Sequence, residues 1–313
     1  MVSILDGEMV RDDVTSTAMG GTELIATKMV ERLDRELLKK FNIIHSRVRE
    51  YDTNKKTIYV CHDLPGDPES EHLKQGGYNK FERIVFVSHW QMQRYIEYYG
   101  IPWYKCVVIQ NAIDPLVASK YDAGPVKIIY HTTPHRGLDI LASAFDAITQ
   151  KDKDVTLDVY SSFKIYGWEE RDEQYKNLFD RLKTLPQVNY HGSVFNDEVR
   201  AALSSSHIFA YPSKWPETSC LALLEAMSAG LTCVHSNYAA LPETAANWTR
   251  MYQYQDNPRD HAYVLYEQLI NAIGGVRNKS FEELRFNQKA YVDLFYNWDL
   301  RSAQWTNFLN GLL

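Results

Sequence analysis

The chain has 313 residues, of which 45% are hydrophobic and 24% charged, and its net charge is −6. The length accommodates two domains with cores of their own, while the acidic balance excludes the basic footprint of bulk nucleic-acid binding. Four scattered cysteines (Cys61, Cys106, Cys220, Cys233) form no CxxC pair and fit reduced cytosolic thiols rather than a disulfide framework or a zinc site.

The opening residues carry no signal-peptide pattern, and no apolar run reaches the ~18 residues of a membrane span. The expectation is a soluble, cytoplasmic protein. Residues 2–5 read as a strand, and 20–41 as a helix with an apolar stripe at Leu24, Ile25, Met29, Val30, Leu33, Leu37 and Leu38. The mixed charges of that helix describe a solvated face rather than a membrane-binding one. Buried strands follow in "FNIIHSRV", "KTIYVCH" and "RIVFVS", then a helix, "HWQMQRYIEYYG", closed by Gly100, and the strand "KCVVIQ". The aromatic run "EYYGIPWY" (97–104) reads as packing below a hinge.

After the Asp-Pro and Gly-Pro steps of 114–125 the pattern restarts: "VKIIYH", the helix "GLDILASAFDAITQ", "VTLDVYS", a helix near 171–184, "VNYHG", "NDEVRAALSSS" and "HIFAYPS". Strands alternating with helices predict parallel, doubly wound sheets.

The stretch "FAYPSKWPETSCLALLEAMSAGLTCVHS" (209–236) concentrates the chemistry. A strand, a loop, a helix closed by Gly230 and a second strand place "KWPETS" at the carboxyl end of a parallel strand, where open α/β sheets bind ligands. The following helix N-terminus offers free N–H groups and a positive dipole end to a phosphate. Carboxylates beside a phosphate would repel it, so Glu217 and Glu225 suit neutral hydroxyls flanking the phosphates, a sugar on one side and a ribose on the other. The bland alternative makes Glu217 a helix cap and Glu225 ordinary surface.

"PETSCLALLEAMSAG" resembles the E-x7-E motif of the retaining glycosyltransferases of family 4. The resemblance runs nearly the full chain, through "MGGTELIATKM", "IYVCHDLP", "VFVSHWQMQRYIEYYGIPWYKCVVIQNAID", "IIYHTTPHRGLDILASAF" and "FYNWDLRSAQWTNFL", in the family's order. It implies the α/β GT-B fold: two Rossmann-like doubly wound parallel-sheet domains facing across a cleft. The expected boundaries are 1–120 (acceptor side), 121–295 (nucleotide-sugar side) and 296–313, a helix crossing back to the first domain.

Position by position, the resemblance implies that Glu217 contacts the transferred sugar, with His62 at the reacting sugar. Glu225 holds the ribose, and the amides of Ser219, Cys220 and Leu221 face the diphosphate. Gly20 and Gly21 let backbone approach the phosphates without side chains in the way. Arg136 stands where the family commonly has lysine, and its fork suits a pair of phosphate oxygens. Val194, within "HGSVFN", contacts the base. Ser219 and Cys220 replace a common Phe-Gly, and "HTTPHRG" lacks the family's second arginine, leaving Thr132, Thr133 and His135 as helpers. The simpler readings are a backbone-bonded buried His62, a plain Gly20-Gly21 turn and a helix-start Arg136.

The expected activity is metal-independent, retaining transfer of a sugar from a nucleotide-diphosphate sugar to the hydroxyl of a glycan, lipid or small molecule, with no cofactor. Of the acids at 11–13, 63–67 and 151–154, only Asp152 and Asp154 form Asp-x-Asp, and their place at a strand's amino end is the sheet edge opposite the site. A non-catalytic nucleotide-sugar-binding protein of the same fold and a GT-B sugar-nucleotide epimerase are the alternatives. A phosphorylase-like catalyst lacks its cofactor-lysine signature.

Overall fold

The structure, a computed structural model, describes residues 2–11, 20–48, 51–121 and 124–313. Met19 of the Gly-Gly motif and the acids Asp12 and Asp13 lie outside the described residues. Contacts divide the chain into Met1–Ile113 with Tyr296–Leu313, and Asp114–Phe295.

The first unit contains β1 (Val2–Leu5), β2 (Glu8–Arg11), α1 (Gly21–Arg32), α2 (Arg35–Leu38), β3 (Phe41–His45), β4 (Lys56–Cys61), β5 (Arg83–Phe86), α3 (His89–Tyr99) and β6 (Cys106–Val108). Its strands lie in the order β2-β1-β3-β4-β5-β6. From β3 to β6 the pairing is parallel, while β1 runs antiparallel to both β2 and β3. The edge hairpin departs from the expected all-parallel sheet, and its turn is Asp6-Gly7 with both residues at positive φ, 52° and 74°. That is the Asp-Gly signature of a two-residue hairpin loop.

The helix expected over 20–41 is two helices. Asp34 adopts extended backbone and its carboxylate accepts from the Leu37 amide, capping α2 and ending the run at Leu33. Interior strands β3 and β4 are apolar on both faces: Phe41, Ile43, Ile44, Ile58 and Tyr59 are all buried. The run 97–104 divides: Tyr99 and Ile101 pack into the core, while Tyr98, Trp103 and Tyr104 are 54%, 67% and 68% exposed.

The second unit follows as β7 (Val126–Tyr130), α4 (Leu138–Lys151), β8 (Val155–Val159), α5 (Lys176–Thr184), β9 (Val188–Tyr190), α6 (Asn196–Leu203), β10 (Ile208–Tyr211), α7 (Leu221–Ser228), β11 (Thr232–Ser236), α8 (Leu241–Ala245), β12 (Arg250–Tyr252), α9 (Pro258–Arg277) and α10 (Glu282–Phe295). All its strand pairs are parallel, in the order β12-β11-β10-β7-β8-β9. Residues 114–121 pack with this unit, earlier in the chain than the expected break at 120: Leu116 donates to Ser228 Oγ (2.9 Å), and Ser119 to the Ala229 carbonyl (2.8 Å). Asp152 is held by two nitrogens of Arg277, at 2.7 and 3.0 Å. A last helix, α11 (Trp298–Asn310), is capped by Asn297 and belongs to the first unit, where Asp299 lies 3.6 Å from Arg32 of α1.

Candidate active site

The order of the second sheet fixes where its site lies. From β7 the chain runs outward through β8 and β9, then returns to place β10 on β7's other side. The loops leaving β7 and β10 therefore diverge at a topological switch point, the place where open parallel sheets leave a ligand crevice beyond the strands' carboxyl ends. Arg136 is in the loop after β7 and Glu217 in the loop after β10.

The two side chains meet: Arg136 donates to Glu217 Oε1, and the hydroxyl of Tyr211, the last residue of β10, donates to the same oxygen. Glu217 is 4% exposed, so this carboxylate sits in a low-dielectric site where such bonds hold it in one orientation. Burial opposes the charge on Arg136, but Glu217 and Tyr211 outweigh it and raise the guanidinium's pKa further.

The loop that carries Arg136 is closed by Gly137, at φ +100°. A Cβ there would lie 2.0 Å from the Pro212 carbonyl oxygen, so only glycine lets the β7 loop press against the β10 loop. Within this loop the Thr133 hydroxyl, His135 Nδ1 and Arg136 Nε are buried and have no hydrogen-bond partner among the described residues. Burial, with Arg136, Lys214 and Arg171 nearby, pushes His135 down to about 3, so it is neutral. Its ring stacks on Phe163 (5.2 Å) and meets the edge of Trp215 (4.8 Å).

Beyond Glu217, Ser219 is half-buried and Cys220 caps α7, its Sγ accepting from the Leu223 amide at 3.4 Å. Burial, reinforced by Glu217, pushes the Cys220 thiol up, so the residue is a neutral cap rather than a nucleophile. The amides of Leu221 and Ala222 precede the first intrahelical bond, Leu224 to the Cys220 carbonyl (3.1 Å), and carry the positive end of the dipole. Helix α7 is buried through Leu223, Leu224, Ala226 and Met227, which fixes its axis. Truncating one such leucine to alanine costs about 2–5 kcal/mol.

Glu225 stands in the second turn of α7, buried, with its Oε1 2.9 Å from Arg200 Nη1 of α6. The bland reading of Glu225 as surface is thereby excluded. Val194 is half-buried, two residues before α6, so α6 links the segment expected at the base to the carboxylate expected at the ribose. Arg200, Tyr211 and Gly137 carried no sequence signal of their own.

In the first unit, Gly20 precedes α1 at φ −74° and ψ 176°, extended backbone open to any residue. What the position offers is a bare backbone, not an unusual torsion. His62 follows β4 and stacks on His45 at the end of β3: the ring centroids are 5.2 Å apart, with His45 Nδ1 3.0 Å from His62 Nε2. Burial holds His62 at about 4, and burial with the neighbouring ring drives His45 well down, so the pair is neutral. His62 also lines a small cleft with Ile25, Gln110, Asn111, Arg301 and Trp305. Among the described residues no helix is long and apolar enough to cross a membrane, and no three His, Cys, Asp or Glu side chains converge.

Family models match both units: "Glycosyltransferase Family 4" over residues 19–115 and "Glycosyl transferases group 1" over 126–270. A curated relative, a phosphatidylinositol N-acetylglucosaminyltransferase component from Arabidopsis thaliana, is 25% identical over 212 residues, 64% of this chain and 45% of the relative. The chain thus spans under half of that relative's length. Among solved structures, a glycosyltransferase from Rickettsia africae superposes with a TM-score of 0.67 at 16% identity, covering 97% of this chain and 84% of that one. Anabaena HepE in complex with UDP-glucose superposes with a TM-score of 0.64 at 15% identity, covering 82% and 73%.

Proposed function

We propose that this chain, which belongs to the glycosyltransferases of family 4 and group 1 and has their GT-B fold, takes its sugar from a nucleoside-diphosphate donor held by the second unit and transfers it with retention of anomeric configuration. The observation that carries the reading is the loop 133–136, with three buried polar atoms that have no hydrogen-bond partner among the described residues, at the switch point between β7 and β10. Each such atom left unsatisfied costs about 1–3 kcal/mol, so the loop suits a polar ligand. The Arg136 cation, though paired with Glu217, and the amino end of α7 support an anion as that ligand. The UDP-glucose bound to the similar HepE supports a nucleotide sugar as its source.

In this reading Glu217 Oε1 is occupied by Arg136 and Tyr211, and Oε2 accepts from a hydroxyl of the sugar. Glu225 accepts from the ribose, and Val194 lies at the base. Gly20, Gly21 and His62 keep the roles implied by the resemblance. The bond from the anomeric carbon to the diphosphate oxygen breaks, and the acceptor oxygen bonds to that carbon on the same face. The acceptor's proton passes to the leaving phosphate. Negative charge grows on the diphosphate, so Arg136 and the α7 dipole stabilise the transition state more than the ground state. No divalent metal enters this scheme. The acceptor is a hydroxyl compound, and the lipid named in the Arabidopsis relative makes lipid acceptors the first to assay.

Thermal shift against UDP, GDP, ADP and UDP-glucose tests donor binding, since a ligand specific to the folded state raises stability by RT ln(1 + [L]/Kd). NMR coupling constants of the first product test retention. An inverted linkage overturns the mechanism, binding without turnover or donor hydrolysis identifies a binding protein, and conversion of the donor without acceptor identifies an epimerase.

A further inference from the structure

Resting on the donor reading of the second unit, we infer that Arg200 is the positioning residue of the nucleotide site: it holds the Glu225 carboxylate in place for the donor ribose. Arg200 uses two nitrogens for two partners. Nη1 lies 2.9 Å from Glu225 Oε1, and Nη2 donates at 2.8 Å to the carbonyl of Asp114, the first residue of the second unit. A guanidinium fixed by a backbone carbonyl on one nitrogen has little freedom on the other, so the carboxylate it holds inherits that rigidity. The two side chains are 23% and 11% exposed, which leaves them partly shielded from water.

The carboxylate needs that support because α7 is a core helix. Burial raises the pKa of Glu225, and Arg200 opposes this most strongly, followed by the Asn196 side chain. On the other flank of α7, Lys289 and Asp293 of α10 bond each other at 2.7 Å and the Ser228 carbonyl and hydroxyl, a turn beyond Glu225. Arg200 is therefore the cation that acts on Glu225 among the described residues. A protonated Glu225 loses an acceptor, so ribose binding is complete above its pKa and fades as pH falls through it. Taking Arg200 away moves that fall to higher pH.

A purely structural clamp between α6 and α7 would weaken binding equally at every pH. The discriminating experiment is calorimetric titration from pH 5.5 to 8.5 of wild type, Arg200→Gln and Arg200→Lys. The probes are whichever of UDP, GDP and ADP gives the largest thermal shift, and its 2′-deoxy form. For Arg200→Gln we expect affinity about 10- to 100-fold weaker than wild type near pH 6, with much of the loss recovered near pH 8.5. Its preference for the ribose over the 2′-deoxy probe is also expected to vanish near pH 6 and to return near pH 8.5. Arg200→Lys keeps the charge without the fork and recovers the wild-type pH profile while remaining weaker overall. A parallel loss at all pH values, or Arg200→Lys no better than Arg200→Gln, overturns the inference. Wild type that binds no nucleotide overturns the donor reading instead. The infrared band of protonated carboxyl in ligand-free protein, expected at higher pH in Arg200→Gln than in wild type, still decides what Arg200 does to Glu225, and no difference in that band overturns the inference.

Discussion

Arg136 and Glu217 reach across the seam between β7 and β10 and pair there, with the Tyr211 hydroxyl on the same carboxylate oxygen. Sequence reasoning gives the two residues to different parts of a donor, the cation to the diphosphate and the acid to the sugar. Their pairing makes them one unit: in the proposed mechanism, the acid assigned to the sugar also orients the cation assigned to the leaving group. Removing either disturbs both functions, and the two losses do not add.

Glu217→Gln keeps the shape of this arrangement and removes its charge. Turnover is expected to fall by about 100-fold or more, since orientation and electrostatics at the sugar fail together. Affinity for free UDP is expected to hold or to increase, because Arg136 is released from its acid. Steady-state kinetics beside calorimetric titration separate the two. A variant with wild-type kcat removes Glu217 from the mechanism.

Arg136→Ala removes the charge that we propose meets the leaving diphosphate. A partly buried contact of this kind is worth about 2–4 kcal/mol in the transition state, or roughly 30- to 1000-fold in rate. Arg136→Lys is expected to recover part of it, keeping the charge without the fork. The same assays run with EDTA are expected to match those without. A rate that vanishes with chelator and returns with magnesium or manganese sinks the metal-independent scheme, and a near-wild-type Arg136→Ala enzyme means the phosphate lies elsewhere.

The alternation of strands and helices was legible because it is written in local periodicity, and so was α7 with its flanking loop. The single helix expected over 20–41 failed because Asp34 caps a second helix, a local hydrogen bond that outweighs the apolar stripe running through it. The β1–β2 hairpin is legible only in Asp6-Gly7, a two-residue signal set against a parallel pattern in every other described strand pair but β1–β3. The Arg136–Glu217 and Arg200–Glu225 pairs were not legible: their partners stand 81 and 25 residues apart, and strand order alone brings them together. The exposed Trp103 and Tyr104 show the opposite limit, since composition does not say which aromatics face the core.

Gly137 tests whether the two loops must touch. Gly137→Ala puts a methyl 2.0 Å from the Pro212 carbonyl oxygen at a φ of +100°. A contact that short forces backbone movement, so a loss above about 2 kcal/mol is expected. Gly100→Ala is the control, at φ +69° with nothing within 4 Å of the added carbon, and is expected to cost only about 1 kcal/mol. Urea unfolding of both variants checks the contrast, and equal losses would mean that torsion alone matters at Gly137.

Buried neutral histidines set the acid limit of the fold. His235 is fully buried at the end of β11, its Nδ1 2.9 Å from the Ser236 carbonyl and Nε2 2.7 Å from the Thr249 hydroxyl. A carbonyl only accepts, so Nδ1 carries the proton and Nε2 accepts from threonine. Burial holds this ring at about 4, and burial also holds His62 and His131 near that value. The folded pKa lies below the unfolded value near 6.5. The unfolded chain therefore binds more protons in this window, and stability is full above about pH 6.5 and falls as pH drops toward 4. For His235 the slope approaches ~1.4 kcal/mol per pH unit. His235→Gln is expected to unfold at lower urea than wild type at pH 7.5 and to lose less on going to pH 5, because one proton-binding site of the unfolded chain is gone. Urea midpoints at the two pH values measure both differences. A wild type and a His235→Gln variant that lose the same stability between pH 7.5 and 5 would mean that His235 titrates alike in the folded and unfolded chain, and would refute its neutral assignment at pH 5.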